Sequence, residues 1–109
     1  MVDARDSQPP QAVMSVTRLT DTQIENGLAS LPGWSRVDHS ICKTFHFTDF
    51  EIAFAWMTQV AQKAEARNHH PDWRNVYNRV EVTLTTHDAD GLTALDFELA
   101  REMESAQAG

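Results

Sequence analysis

The residues best suited to chemistry in this 109-residue chain lie between Glu65 and His87. They read Glu65-Ala66-Arg67-Asn68-His69-His70-Pro71-Asp72-Trp73, then Asn75-Val76-Tyr77-Asn78, then Thr86-His87. Three of the five histidines fall in this span, two of them adjacent and followed by proline. Imidazole is the side chain whose unperturbed pKa lies near neutrality, so it can both give and take a proton there. Three imidazoles gathered at one place point to general acid–base catalysis, which makes His69, His70 and His87 the candidate catalytic residues. Glu65 precedes His69 by one helical turn, where a carboxylate can fix an imidazole tautomer and raise its basicity.

These side chains need elements to bring them together. Thr48 to Asn68 reads as the clearest helix, opened by a capping box at Thr48-Asp49-Phe50-Glu51. Phe50, Ala53, Phe54, Met57, Val60, Ala61 and Ala64 follow the helical period and form its expected core stripe. Pro71 disfavours the α conformation at His70, so the helix ends near Asn68 or His69, with Asn68 suited to a left-handed helix end. Trp73 to Val76 and Arg79 to Thr86 read as third and fourth strands joined by a turn at Tyr77-Asn78. Val80, Val82 and Leu84 alternate with Glu81, Thr83 and Thr85, giving that strand one dry face. The hairpin puts the end of the fourth strand beside the start of the third. His87 is thereby expected close to the His69-His70-Pro71 corner.

Upstream, Thr20 and Gln23 form a capping box for a helix from about Asp21 to Ser30, with Ile24, Leu28 and Leu31 on its apolar side and Pro32-Gly33 as its stop. Trp34 to Asp38 and Ile41 to Phe47 read as a first hairpin. Ile41, Lys43, Phe45 and Phe47 share one face, and Cys42, Thr44 and His46 the other. Downstream, Thr93 caps a last helix with Asp96 at the third position and Leu95, Leu99 and Met103 as its stripe. The ordinary role of Asp96 there is to stabilise a helix N-terminus. The order α-β-β-α-β-β-α predicts an α+β domain: a four-stranded antiparallel sheet with three helices packed on one face. Its bounds are expected at residues 17–105, after a disordered leader over 1–16 and before a frayed tail over 106–109. Met14 offers an alternative start that would spare the domain.

Composition narrows the function. The length fits one domain. Nine Lys and Arg against 16 Asp and Glu give a net charge of −7, which argues against nucleic acid and against an anionic membrane surface as partners. The single cysteine, Cys42, excludes a disulfide within the chain and a cysteine-based metal site. No run approaches the ~20 apolar residues that span a bilayer, and no secretory signal is visible, so a cytoplasmic protein is expected.

Competing readings of the histidines are a three-histidine metal site and plain structural roles. Adjacent histidines rarely ligate one ion together from such a corner, and the helix has no His-x-x-x-His pair, so no metal is expected. His39 and His46 read as solvated residues, and Trp73 and Pro71 can serve as core and turn.

The run Glu65-x-x-x-His69-His70-Pro71-x-Trp73-x-Asn75-Val76-Tyr77-Asn78, with Val80, Thr83-Leu84-x-Thr86-His87, Gly91-Leu92 and Asp96, resembles the pterin-4a-carbinolamine dehydratase family. The likeness covers about Leu19 to Met103, and Phe45-His46-Phe47 also fits it. It implies the same α+β fold and the dehydration of 4a-hydroxytetrahydrobiopterin, or a related pterin, to quinonoid dihydropterin, which recycles the cofactor of aromatic amino acid hydroxylases. His69 and His87 are implied as the acid–base pair on opposite faces of the ring, with His70 mainly a substrate contact. Pro71, Thr86, Asp88 and Ala89 are implied at the pterin, and Glu65, Trp73 and Asp96 as supporting residues. The resemblance implies no cofactor and a homodimer or homotetramer. Two other functions are compatible with it: a dimerisation partner of a transcription factor, which does not need the histidines, and the same site used in another pterin pathway such as molybdopterin metabolism.

Overall fold

The computed structural model describes residues 17–108, so the expected leader over 1–16 and the choice of start codon lie outside the described residues. Helix α1 is Asp21–Ala29, strand β1 Ser35–Val37, strand β2 Ser40–His46, helix α2 Phe50–Arg67, strand β3 Asp72–Val76, strand β4 Arg79–Leu84, and helix α3 Ala94–Ala108, with a 3-10 turn over His87–Ala89 before α3. The strands form one antiparallel sheet in the order β1-β2-β4-β3. This is the α+β arrangement and element order expected from the sequence. Among the described residues no helix is long and apolar enough to cross a membrane.

Local chemistry explains the element ends. Thr20 Oγ1 accepts from the Gln23 backbone N–H at 3.2 Å, and Gln23 Oε1 accepts from the Thr20 N–H at 2.9 Å, which satisfies two otherwise orphan donors of α1. For α2 the cap is Asp49, whose Oδ1 accepts from the Ile52 N–H at 2.9 Å, and not Thr48 as expected. Both residues suit a cap, and the extended backbone of Asp49 decides between them. The first strand is shorter than the expected Trp34–Asp38. Trp34 leaves the strand for the core, where its Nε1–H donates to Glu104 Oε2 at 2.8 Å, and Asp38 turns the chain with a left-handed φ of 54°.

The β2–β4 register pairs Ile41 with Leu84, Lys43 with Val82 and Phe45 with Val80. These alternate residues face the helices, and all but Lys43 are buried. Trp56 is the centre of the core: its ring lies 4.6 Å from Phe45, 5.2 Å from Phe47 and 6.1 Å from Trp73 by centroids, and its Nε1–H donates to the Met103 carbonyl of α3 at 3.0 Å. The buried stripe of α2 is therefore Ala53, Trp56, Val60 and Ala64. Phe50 and Phe54, expected in that stripe, are 47% and 54% exposed, Ile52 beside them is 51% exposed, and Ala61 is also exposed. Apolar residues occupy more than one side of α2, so its period alone does not select the face that meets the sheet.

Helices α2 and α3 are also tied by Arg67, which donates to Glu98 at 2.8 Å and to Glu102 at 2.6 Å. The hydrogen bond from Arg67 holds the Glu102 carboxyl below its ordinary pKa, against the opposing effect of burial. Helix α3 continues to Ala108, through the segment expected to fray. Ala106 packs on the core, and the Gln107 amide donates to the His46 carbonyl at 3.1 Å, so the last turn has tertiary partners.

Candidate active site

The site begins where α2 ends. Asn68 adopts the left-handed conformation, φ 51° and ψ 41°, as expected of a residue that tolerates it. The His69 N–H then reaches back to the Ala64 carbonyl at 3.0 Å, the six-to-one bond that closes a helix end. This turn takes His69 off the helical phase and swings its ring inward: His69 is buried at 8% exposure, whereas the next residue, His70, is exposed.

The partners of the two histidines differ from the sequence expectation. His69 Nε2 lies 2.6 Å from Asp96 Oδ1, and Asp96 is fully buried. Glu65, expected beside His69, instead lies with its Oε1 2.9 Å from His70 Nε2. The left-handed Asn68 is the reason, because it breaks the four-residue phase that would have stacked Glu65 and His69. The His69–Asp96 pair is buried, while both members of the His70–Glu65 pair are largely exposed and so are held only weakly.

Asp96 also serves its helix. Its Oδ2 accepts from the Thr93 N–H at 2.9 Å and from Thr86 Oγ1 at 2.8 Å, and Thr93 Oγ1 accepts from the Leu95 N–H at 3.2 Å. The N-terminal role read from the sequence and the contact with His69 thus use the two oxygens of one carboxylate. Thr86, buried like Asp96, closes the 86–91 loop through bonds of 3.0 and 3.3 Å between its backbone and Gly91. Its hydroxyl, expected at a substrate edge, is turned to Asp96 and to Thr93 Oγ1, 2.8 Å away.

The structure therefore brings His69, Asp96 and Thr86 into one bonded chain and sets His87 one residue beyond it, at the exposed start of the 3-10 turn. His70 and Glu65 form a second, outer pair. Asp88 is exposed and Ala89 half-buried on the turn with His87, Pro71 is half-buried at the corner, and Trp73 is half-buried against Trp56. His39 and His46 are exposed and lie outside these pairs. Among the described residues no group of three or more His, Cys, Asp or Glu side chains is arranged to hold a metal ion. Thr93 was legible only as a helix cap. Its place behind Asp96 depends on the start of α3 meeting the end of α2, which no local pattern encodes.

Known proteins resemble this chain over most of its length. The family model described as pterin 4 alpha carbinolamine dehydratase matches residues 17–106. A Novosphingobium aromaticivorans protein, provisionally named pterin-4-alpha-carbinolamine dehydratase, is 57% identical over 94 residues, covering 84% of this chain and 98% of its own. A Rhizobium etli protein of the same provisional name is 57% identical over 97 residues, covering 87% and 96%. A Brucella melitensis crystal structure, described as a transcriptional coactivator/pterin dehydratase, superposes with a TM-score of 0.81 at 46% identity, covering 83% of this chain and 98% of that one. With residues 17–106 matched by the family model and more than nine-tenths of each relative covered, the chain belongs to the pterin 4 alpha carbinolamine dehydratase family of hydro-lyases.

Proposed function

We propose that this protein eliminates water from 4a-hydroxytetrahydrobiopterin, or a closely related pterin, to give the quinonoid dihydropterin. The observation that carries the reading is the buried pair of His69 Nε2 and Asp96 Oδ1 at 2.6 Å. The reaction breaks the bond from C4a to its hydroxyl oxygen. One group must deliver a proton so that the hydroxyl leaves as water, and another must take a proton from a ring nitrogen as the new double bond forms. Two imidazoles suffice for both transfers, so no metal or organic cofactor is required. An imidazole backed by a buried carboxylate is well suited to hold the positive charge it acquires as a base.

In this reading His69 and His87 are the acid–base pair. His70, exposed and loosely paired with Glu65, contacts the substrate, and Pro71, Asp88 and Ala89 border the pterin. The product would return to the reductase that regenerates the cofactor of an aromatic amino acid hydroxylase. The test is an assay of the purified chain on synthetic 4a-hydroxytetrahydropterin, followed by ultraviolet absorbance. A clear acceleration over the spontaneous dehydration is expected, and a rate equal to the spontaneous one would sink the reading.

Self-association belongs to the same proposal. Phe50 and Phe54 leave about half of each side chain exposed, with their rings 5.6 Å apart on one side of α2, and exposed apolar surface of this kind marks contact sites. Sedimentation is expected to give a dimer or tetramer, and Phe54→Lys to shift it toward monomer. A monomeric wild-type protein would contradict this. The same surface would serve the alternative, protein-binding role, which leaves the histidines idle, so the dehydratase assay separates the two.

A further inference from the structure

We propose that Thr86, with Thr93 behind it, is a positioning residue that fixes the tautomer of His69 and so makes His69 Nδ1 the atom that exchanges the substrate proton. This rests on the acid–base reading of His69.

The argument is a count of protons along one chain of hydrogen bonds. Asp96 Oδ2 accepts from the Thr93 N–H at 2.9 Å and from the Thr86 hydroxyl at 2.8 Å. A hydroxyl has one proton. Thr86 has given its proton to Asp96, so the 2.8 Å contact between the two threonine hydroxyls must be donated by Thr93. Thr93 Oγ1 can do this because it accepts from the Leu95 N–H at 3.2 Å. Every donor from Leu95 through Thr93 and Thr86 therefore points the same way, toward Asp96. The carboxylate is left as an acceptor on its other oxygen, Oδ1, which lies 2.6 Å from His69 Nε2. That nitrogen carries the proton. In a neutral imidazole the second nitrogen is then the acceptor, and among the described residues Nδ1 has no hydrogen-bond partner.

Burial makes the arrangement effective. Thr86, Thr93, Asp96 and His69 are all buried, so water does not compete for these donors, and a misdirected proton would leave a buried polar group unpaired. Thr86 also has a second connection, because it is the residue immediately before His87 and its backbone closes the 86–91 loop on Gly91. One side chain thus joins the segment carrying His87 to the carboxylate that orients His69. The hydroxyl acts on the reaction through Asp96 and makes no contact with the substrate.

The test uses Thr86→Val, which keeps the shape and removes the hydroxyl, Thr86→Ser, which restores it, and Thr93→Val as a second break in the chain. With outer partners of catalytic groups as a guide, kcat should fall about 10–100-fold in Thr86→Val, with KM little changed and Thr86→Ser close to wild type. Nitrogen-15 NMR of the imidazoles at alkaline pH should show His69 in wild type as the Nε2–H tautomer, and a mixture of tautomers in the valine variants. A wild-type Nδ1–H tautomer would overturn the proposal, as would unchanged kcat in Thr86→Val. So would a loss expressed only in KM, or equal losses in the serine and valine variants. If a valine variant does not fold, the wild-type spectrum and Thr86→Ser still decide. Wild-type protein inactive on the pterin would remove the proposed function, yet the tautomer of His69 would still be read directly.

Discussion

His69→Ala and His87→Ala are each expected to lose most of the dehydratase activity, about 10²–10⁴-fold, the usual contribution of one acid–base group. The two variants should differ in stability. His87 is exposed at the start of a turn, and a surface change of this kind costs within about 0.5 kcal/mol. His69 is buried and faces the fully buried Asp96. Its removal leaves Asp96 Oδ1 without its partner, at about 1–3 kcal/mol. His87→Ala is therefore the cleaner probe, with lost activity and an unchanged melting temperature. His70→Ala should act mainly on KM, because its ring is exposed and pairs with the exposed Glu65. The rates follow from ultraviolet absorbance of the 4a-carbinolamine, and full activity in either His69→Ala or His87→Ala would sink the catalytic assignment.

Asp96→Asn should be nearly as damaging to activity while sparing the fold. An amide has one oxygen and one nitrogen where the carboxylate had two acceptors. If the nitrogen faces Thr86 and Thr93, it meets the Thr93 N–H and leaves a buried donor unpaired, at about 1–3 kcal/mol. If it faces His69, it donates to Nε2 and moves the imidazole proton to Nδ1. The second arrangement keeps every buried group bonded and presents the wrong tautomer to the substrate. In hydrolytic triads the same exchange lowers kcat by about 10⁴, and a loss of that order is expected here with a melting temperature near wild type. Asp96→Ala differs: it strands the Thr93 N–H, the Thr86 hydroxyl and the His69 N–H. At about 1–3 kcal/mol each, that is a large part of an ordinary domain stability of about 5–15 kcal/mol. Comparison of kcat and thermal midpoints separates the two variants, and wild-type kcat in Asp96→Asn would reduce Asp96 to a helix-capping residue.

Much of this site was legible before any fold was known, because the signals are short-range. Thr20 and Gln23 specify the start of α1 through bonds three residues apart. Asn68 and Pro71 specify the end of α2, since one tolerates a left-handed backbone and the other forbids helix before it. The alternation of Val80, Val82 and Leu84 specifies the buried face of β4. The histidine corner, the two hairpins and the family likeness all follow from such local patterns.

Other features depend on which element meets which. The period of α2 admits a face with Phe50 and Phe54 as readily as one with Trp56, and the rings of Phe45, Phe47 and Trp73 select Trp56. Glu65 is the nearest carboxylate to His69 in sequence on a helical phase, yet the partner of His69 is Asp96, 27 residues away. Hydrogen bonding within a helix is set by residues a turn apart, so the chain states it directly. The pairing of His69 with Asp96, and of Asp96 with Thr86 and Thr93, exists only because the start of α3 packs against the end of α2 and the end of β4. Burial in that junction, where no water can replace a missing partner, is what turns three ordinary helix and strand ends into a directed acid–base site.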